Sequence, residues 1–205
     1  MIAQPLRPQP RRTQAERRAA TRMAILDATI AVLVKRGYAG LTTEAIVKKA
    51  GVTRGAHAHY FTSKPDLLVQ ALDRLSHQMQ AEVERALGTS GISYDELIDR
   101  MWQVHRGPLF TASLELHVAA RTDRELGAHL HRFDHELTEQ LRALAAEHVP
   151  DLVAKPRFGR VVATALAAMR GVAVLGFTAT PETVERTWQL VRAELMRAGE
   201  SAFGG

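Results

Sequence analysis

Apolar residues along this chain recur at helical spacing in every segment where they recur regularly, and no alternating apolar and polar run is long enough to make a strand. That pattern restricts the chain to an all-α fold. Helix punctuation divides it into about nine helices. Thr13 and Glu16 have capping-box spacing and open a helix whose stripe of Ile25, Leu26, Thr29, Val32 and Leu33 runs to Gly37. A short helix is predicted over 43–49. Gly51 breaks it, Thr53 caps the next, and Phe61-Thr62-Ser63 ends that third helix. Ser63 and Asp66 form a further box, with Pro65 tolerated in the first turn of a helix reaching about residue 87.

Beyond the Gly88–Gly91 break, Ser93 and Glu96 open a helix with Ile98, Met101 and His105 on one face, interrupted at Gly107-Pro108. Residues 109–121 are apolar nearly all round, which predicts deep burial. Asp123 caps a long helix striped with Leu126, Leu130, Phe133, Leu137, Leu141 and Leu144, and Pro150 and Pro156 bracket an expected loop. Two apolar helices close the chain. In the first, Ala163, Ala167 and Gly171 are spaced by four, leaving room for another helix; in the second, which starts at Thr180-Pro181-Glu182, Val184, Trp188, Val191 and Leu195 form one edge. These seven residues are the candidate self-association surface, with an intrachain core as the alternative.

Composition narrows the function. The chain has no cysteine, which excludes disulfides, thiolate zinc sites and thiol redox sensing and fits a cytoplasmic protein. Residues 161–180 have the length of a membrane span, but Arg170 sits at their centre and no second span accompanies them, so a covered helix and no membrane role are expected. Charge is divided unevenly. Residues 1–70 hold twelve Lys or Arg against four Asp or Glu, a net of +8, while the rest hold fifteen against eighteen, a net of −3. The basic third points to a polyanionic partner.

Within that third, residues 50–64 read AGVTRGAHAHYFTSK: two short helices joined by a glycine-containing turn, followed by hydrogen-bond donors. This describes a helix-turn-helix, whose second helix enters the major groove and reads base edges with its N-terminal residues. Arg54 is placed to take guanine O6 and N7, and Gly55 lets backbone approach the duplex. Thr43, His59, Tyr60 and Lys64 are candidate phosphate contacts, the N-caps Thr42 and Thr53 are further DNA-binding candidates, and His57 is either a base reader or a partly buried polar residue.

Residues 22–68, RMAILDATIAVLVKRGYAGLTTEAIVKKAGVTRGAHAHYFTSKPDLL, resemble the DNA-binding domain of the TetR family of bacterial transcriptional repressors. The matching features are IL followed by small residues, GY before TT, the AGVTRGA turn and the YF-x-x-K-x-x-LL exit. The resemblance implies a homodimer with three DNA-binding helices near the N-terminus and C-terminal helices that form a small-molecule pocket and the dimer interface. Its expected boundaries are a flexible basic arm over 1–12, a DNA-binding domain over 13–66 with its motif at about 42–61, and a ligand-binding and dimerisation domain over 67–205. One departure stands out: Ala58 occupies a position where members usually carry a phosphate-touching tyrosine, leaving that contact to His57, His59 or Tyr60.

Polar or aromatic residues on the C-terminal apolar stripes are the pocket candidates: Met101, Trp102, His105, Phe110, His117, Phe133 and Met169, suited to a largely apolar effector. His131 and His135 share a polar face without further ligands, so no metal is expected. No nucleophile elbow, glycine-rich phosphate loop or HExxH motif is present, and neither catalysis nor a cofactor is expected. The leading expectation is a ligand-responsive repressor binding a palindromic double-stranded DNA operator. A non-specific DNA-coating protein and a histidine-dependent helical hydrolase are the alternatives.

Overall fold

The computed structural model describes residues 13–88 and 91–203, which form ten α-helices and no strand. The basic arm expected over 1–12 lies outside the described residues. The chain divides into two compact units, the first ending at Ala71 and the second beginning at Leu72.

In the first unit, α1 (Gln14–Arg36), α2 (Thr43–Ala50) and α3 (Arg54–Tyr60) precede the start of α4 (Lys64–Leu87). The Thr13–Glu16 capping box forms in both directions, and Gly37, at φ 65°, ends α1 by donating its N–H to the Leu33 carbonyl. Ile25, Leu26, Ile30 and Leu33 of α1 are buried, as are Ile46 of α2 and Phe61, Leu67 and Leu68 after α3. Thr29 is fully buried as well, and its hydroxyl is satisfied by donating to the Ile25 carbonyl at 2.8 Å. At the start of α4, the Ser63 hydroxyl accepts from the Asp66 N–H. Asp66 returns a bond to Thr62 rather than to Ser63, so the reciprocal partner lies one residue earlier than the capping-box pattern predicts.

The second unit comprises the rest of α4, α5 (Tyr94–His105), α6 (Pro108–Ala120), α7 (Arg124–His148), α8 (Pro150–Val153), α9 (Phe158–Leu175) and α10 (Pro181–Phe203). The four-residue α8 lies where a loop is expected; Pro150 suits a first helical turn, which needs no N–H there. One core gathers Ile98 and Trp102 of α5, Ala165, Met169 and Val172 of α9, and Trp188 and Leu195 of α10. Trp102 and Trp188 stack with centroids 4.4 Å apart and planes 12° from parallel. Arg192 of α10 makes two hydrogen bonds to Asp99 of α5, at 2.6 and 2.7 Å, and the Tyr94 hydroxyl donates to the Leu195 carbonyl.

This core corrects one expectation. Trp188 and Leu195 are not on a self-association surface; they are 3% and 4% exposed inside the chain's own core, with Val184 and Val191 packed beside them. Helical periodicity shows that this edge is buried but not what covers it, and the Ile98–Trp102 stripe of α5 supplies the cover. Deep burial of residues 109–121 is corrected too. Phe110, Ala112, Ser113 and Leu116 are buried, whereas Val118 is 67% exposed, because α6 packs chiefly on α7. Cover for α9 is also incomplete: only Ala165, Met169 and Val172 are buried in this chain. By length and composition α9 is the one candidate span among the described residues, and Arg170 stands exposed in it.

Candidate nucleic-acid interface and effector cavity

Two helix N-termini meet in the first unit. Thr42 caps α2 by accepting from the Ala45 N–H, and Thr53 caps α3 by accepting from the Ala56 N–H. Between them the chain turns through Gly51, whose φ of 68° and ψ of 30° are left-handed and suit glycine. The Arg54 guanidinium at the first position of α3 lies 3.8 Å from the carboxylate of Glu44 in the first turn of α2, so the two N-termini adjoin. Both side chains are about three-quarters exposed, and such a pair holds little energy. The arginine is thus displayed at the surface.

Of the nine predicted DNA contacts, Thr42, Thr43, Thr53, Arg54, Gly55, His59 and Lys64 are exposed and Tyr60 is half-buried, its ring edge-on to His59. Lys64 holds its ammonium 4.2 Å from the centre of the Tyr38 ring, which fixes where its charge sits. His57 is the correction. It is 8% exposed, its ring lies 5.8 Å from that of Phe61, and burial pushes its pKa below the ordinary value, so it is a neutral core residue and not a base reader. On a short helix, position 57 is the one that faces inward with Phe61, four residues on. Ala58 stands exposed, as do Lys48 and Lys49 in the last turn of α2. The lysines contribute to the positive charge of residues 1–70.

In the second unit, a cavity of about 280 Å³ opens where the end of α5 and the start of α6 meet the α9–α10 turn. It brings together three of the seven predicted pocket residues, Trp102, His105 and Phe110. The other four lie elsewhere. Met169 is wholly buried in the core around Trp102, Met101 packs at its edge, and Phe133 is buried on the α7 stripe. His117 donates from Nε2 to Asp134 of α7 at 3.0 Å, and that hydrogen bond raises its pKa. The cavity also includes Arg106, Thr111, Leu114 and Phe177, together with Ala179, Pro181 and Val184 of the α9–α10 turn. Of these, Val184 stands on the predicted α10 stripe, whereas the helix-end Arg106 and the turn residues Phe177 and Ala179 carry no periodic signal.

His105 lines the cavity with a defined tautomer. Its Nδ1 lies 2.8 Å from the Met101 carbonyl and so carries the ring proton, leaving Nε2 as an acceptor. Burial holds its pKa down to about 4, with the Arg170 charge acting in the same direction. On α9, Ala163, Ala167 and Gly171 are all exposed, and a side chain built on Gly171 would meet nothing within 4 Å. Val174, Phe177 and Leu190 are also exposed, at 47%, 51% and 68%.

Two short helices at a glycine turn, with an exposed arginine and two capped N-termini, define the first unit as a helix-turn-helix DNA-binding domain. Residues 25–71 match the family described as "Bacterial regulatory proteins, tetR family". Over these residues the chain is similar to the DNA-binding domain of that family of bacterial regulators. The HTH-type transcriptional regulator CymR of Pseudomonas putida is 36% identical over 120 residues, covering 57% of this chain and 59% of that protein. Other curated relatives bear the name of transcriptional repressors. The chain spans about half the length of the curated relatives it matches first. Among solved structures, a transcriptional regulator from Rhodococcus sp. Rha1 superposes with a TM-score of 0.65 at 18% identity, over 86% of this chain and 96% of that one. The multidrug binding protein EbrR, complexed with proflavin, gives 0.56 at 24% identity, over 86% and 98%. Both share the all-α fold.

Proposed function

We propose that this protein is a homodimeric, ligand-responsive transcriptional repressor in the cytoplasm, with residues 13–66 as its DNA-binding domain and residues 67–205 as its ligand-binding and dimerisation domain. The observation that carries the reading is Arg54, displayed beside two threonine-capped helix N-termini in the part of the chain with the large positive charge. A guanidinium at that place takes a guanine edge, while Thr42, Thr43, His59, Tyr60 and Lys64 hold phosphates on either side. Two copies set α3 into successive major grooves about 34 Å apart on a near-palindromic operator. The exposed small-residue row of α9, together with the exposed apolar Val174 and Leu190, is the surface that a second copy covers.

The cavity then serves as the effector site. A small molecule that binds better to the geometry unsuited to the operator shifts the population by its differential affinity, typically about 1–3 kcal/mol of coupling. EbrR, whose structure holds proflavin, supports a ligand-binding role for this fold. Fluorescence anisotropy on the intergenic DNA upstream of the coding gene tests the proposal. Affinity should fall steeply with salt, and Arg54→Ala should weaken specific binding by about 1–3 kcal/mol, five- to over a hundredfold, with little effect on scrambled DNA. Equal affinity for both DNAs would instead favour a protein that coats DNA without an operator.

A further inference from the structure

At about 280 Å³ the cavity is at the small end of ligand sites, with room for a compound of one or two fused rings. Its walls suit flat molecules. Trp102 is held by its stack on Trp188, Phe110 rests against the His105 ring at 4.4 Å, and Phe177 stands half-exposed at the rim. Among the lining residues, Arg106 is the one permanently charged side chain. It closes the end of α5, and its guanidinium carbon lies 5.8 Å from the centre of the Trp102 ring, close to any ring laid on that tryptophan. Its contact with Glu185 is 3.8 Å between two half-exposed side chains, too long for a hydrogen bond, so the pair holds the arginine only loosely. The His105 ring beside it is neutral and offers a lone pair on Nε2, and Arg170 adds a second positive charge near that ring.

We propose that this cavity binds planar aromatic acids, with the ring held among Trp102, Phe110 and Phe177 and the carboxylate on Arg106. The proposal rests on reading the cavity as the effector site. A bidentate carboxylate satisfies the guanidinium fork where Glu185 reaches it poorly. A cationic ring of similar size meets Arg106 as a like charge. An acid that also carries a hydroxyl or N–H has an acceptor waiting at His105 Nε2.

Isothermal titration calorimetry of the full chain with 2-naphthoate, the neutral 2-naphthamide and the bicyclic cation N-methylquinolinium tests the proposal. Quenching of Trp102 and Trp188, the chain's two tryptophans, locates binding at the cavity. Naphthoate should bind about ten- to a hundredfold more tightly than the amide, as expected for hydrogen bonds to a charged group, and N-methylquinolinium more weakly than both. Arg106→Gln should abolish the preference for the acid and leave the amide's affinity unchanged, while Arg106→Lys should restore part of it. Equal affinities, a preference for N-methylquinolinium, or a preference that survives Arg106→Gln would each overturn the proposal. Operator affinity is read separately by anisotropy. If naphthoate occupies the cavity without altering DNA binding, the effector reading fails while the ligand class stands; if DNA binding responds to other compounds and naphthoate does not bind, the ligand class alone fails.

Discussion

His105 and His117 lie near one another in sequence, yet their environments push their titrations in opposite directions, and stability measured against pH exposes the difference. His105 is 7% exposed, and its pKa falls from 6.5 to about 4, chiefly because burial penalises the charged ring. Between those pH values the unfolded chain binds a proton that the folded chain refuses. The contribution of His105 is therefore complete above pH 6.5 and is lost as pH falls towards 4, by about 3 kcal/mol across the window. His117 has the opposite sign. Its bond to Asp134 raises its pKa, so its contribution is complete below pH 6.5 and is lost as pH rises through the elevated folded value.

The variant His105→Gln removes the titrating ring and isolates its share from the carboxylates and from His117. Urea unfolding followed by tryptophan fluorescence, at intervals from pH 7.5 to 4, should give wild-type and variant curves whose separation changes by about 3 kcal/mol, with wild type losing the more on acidification. An NMR titration of the wild-type imidazole should show no protonation above about pH 5. Parallel stability curves, or a ring that titrates near 6.5, would refute the burial of His105.

Two further outcomes follow from packing. A side chain added at Gly199 falls directly on the Tyr94 ring, whose hydroxyl is tied to the Leu195 carbonyl, so Gly199→Ala should cost about 1–3 kcal/mol and lower the melting temperature by several degrees in calorimetry. Leu190→Glu places a charge on an exposed apolar side chain of α10 and tests the proposed homodimer: its assembly through this face requires light scattering to show the mass halved, with the circular dichroism of the helices retained.

Much of the first unit is legible in the sequence because its signals are local. A capping box, a glycine with left-handed backbone and a threonine before each short helix are decided within a few residues of chain, and α1, α2 and α3 begin and end where those residues stand. The unequal charge of the two parts is likewise a property of sequence alone. Which face of a helix meets which neighbour is not local. Periodicity marks position 57 as ambiguous, and only the tertiary packing turns His57 towards Phe61. The α10 edge shows the same limit: Trp188 and Leu195 are plainly destined for burial, but α5 covers them, and the exposed apolar side chain on that helix is Leu190. The cavity is legible in part: Trp102, His105 and Phe110 stand on helical stripes, but Arg106, Phe177 and Ala179 come from helix ends and a turn, about which a pattern of period 3.6 is silent.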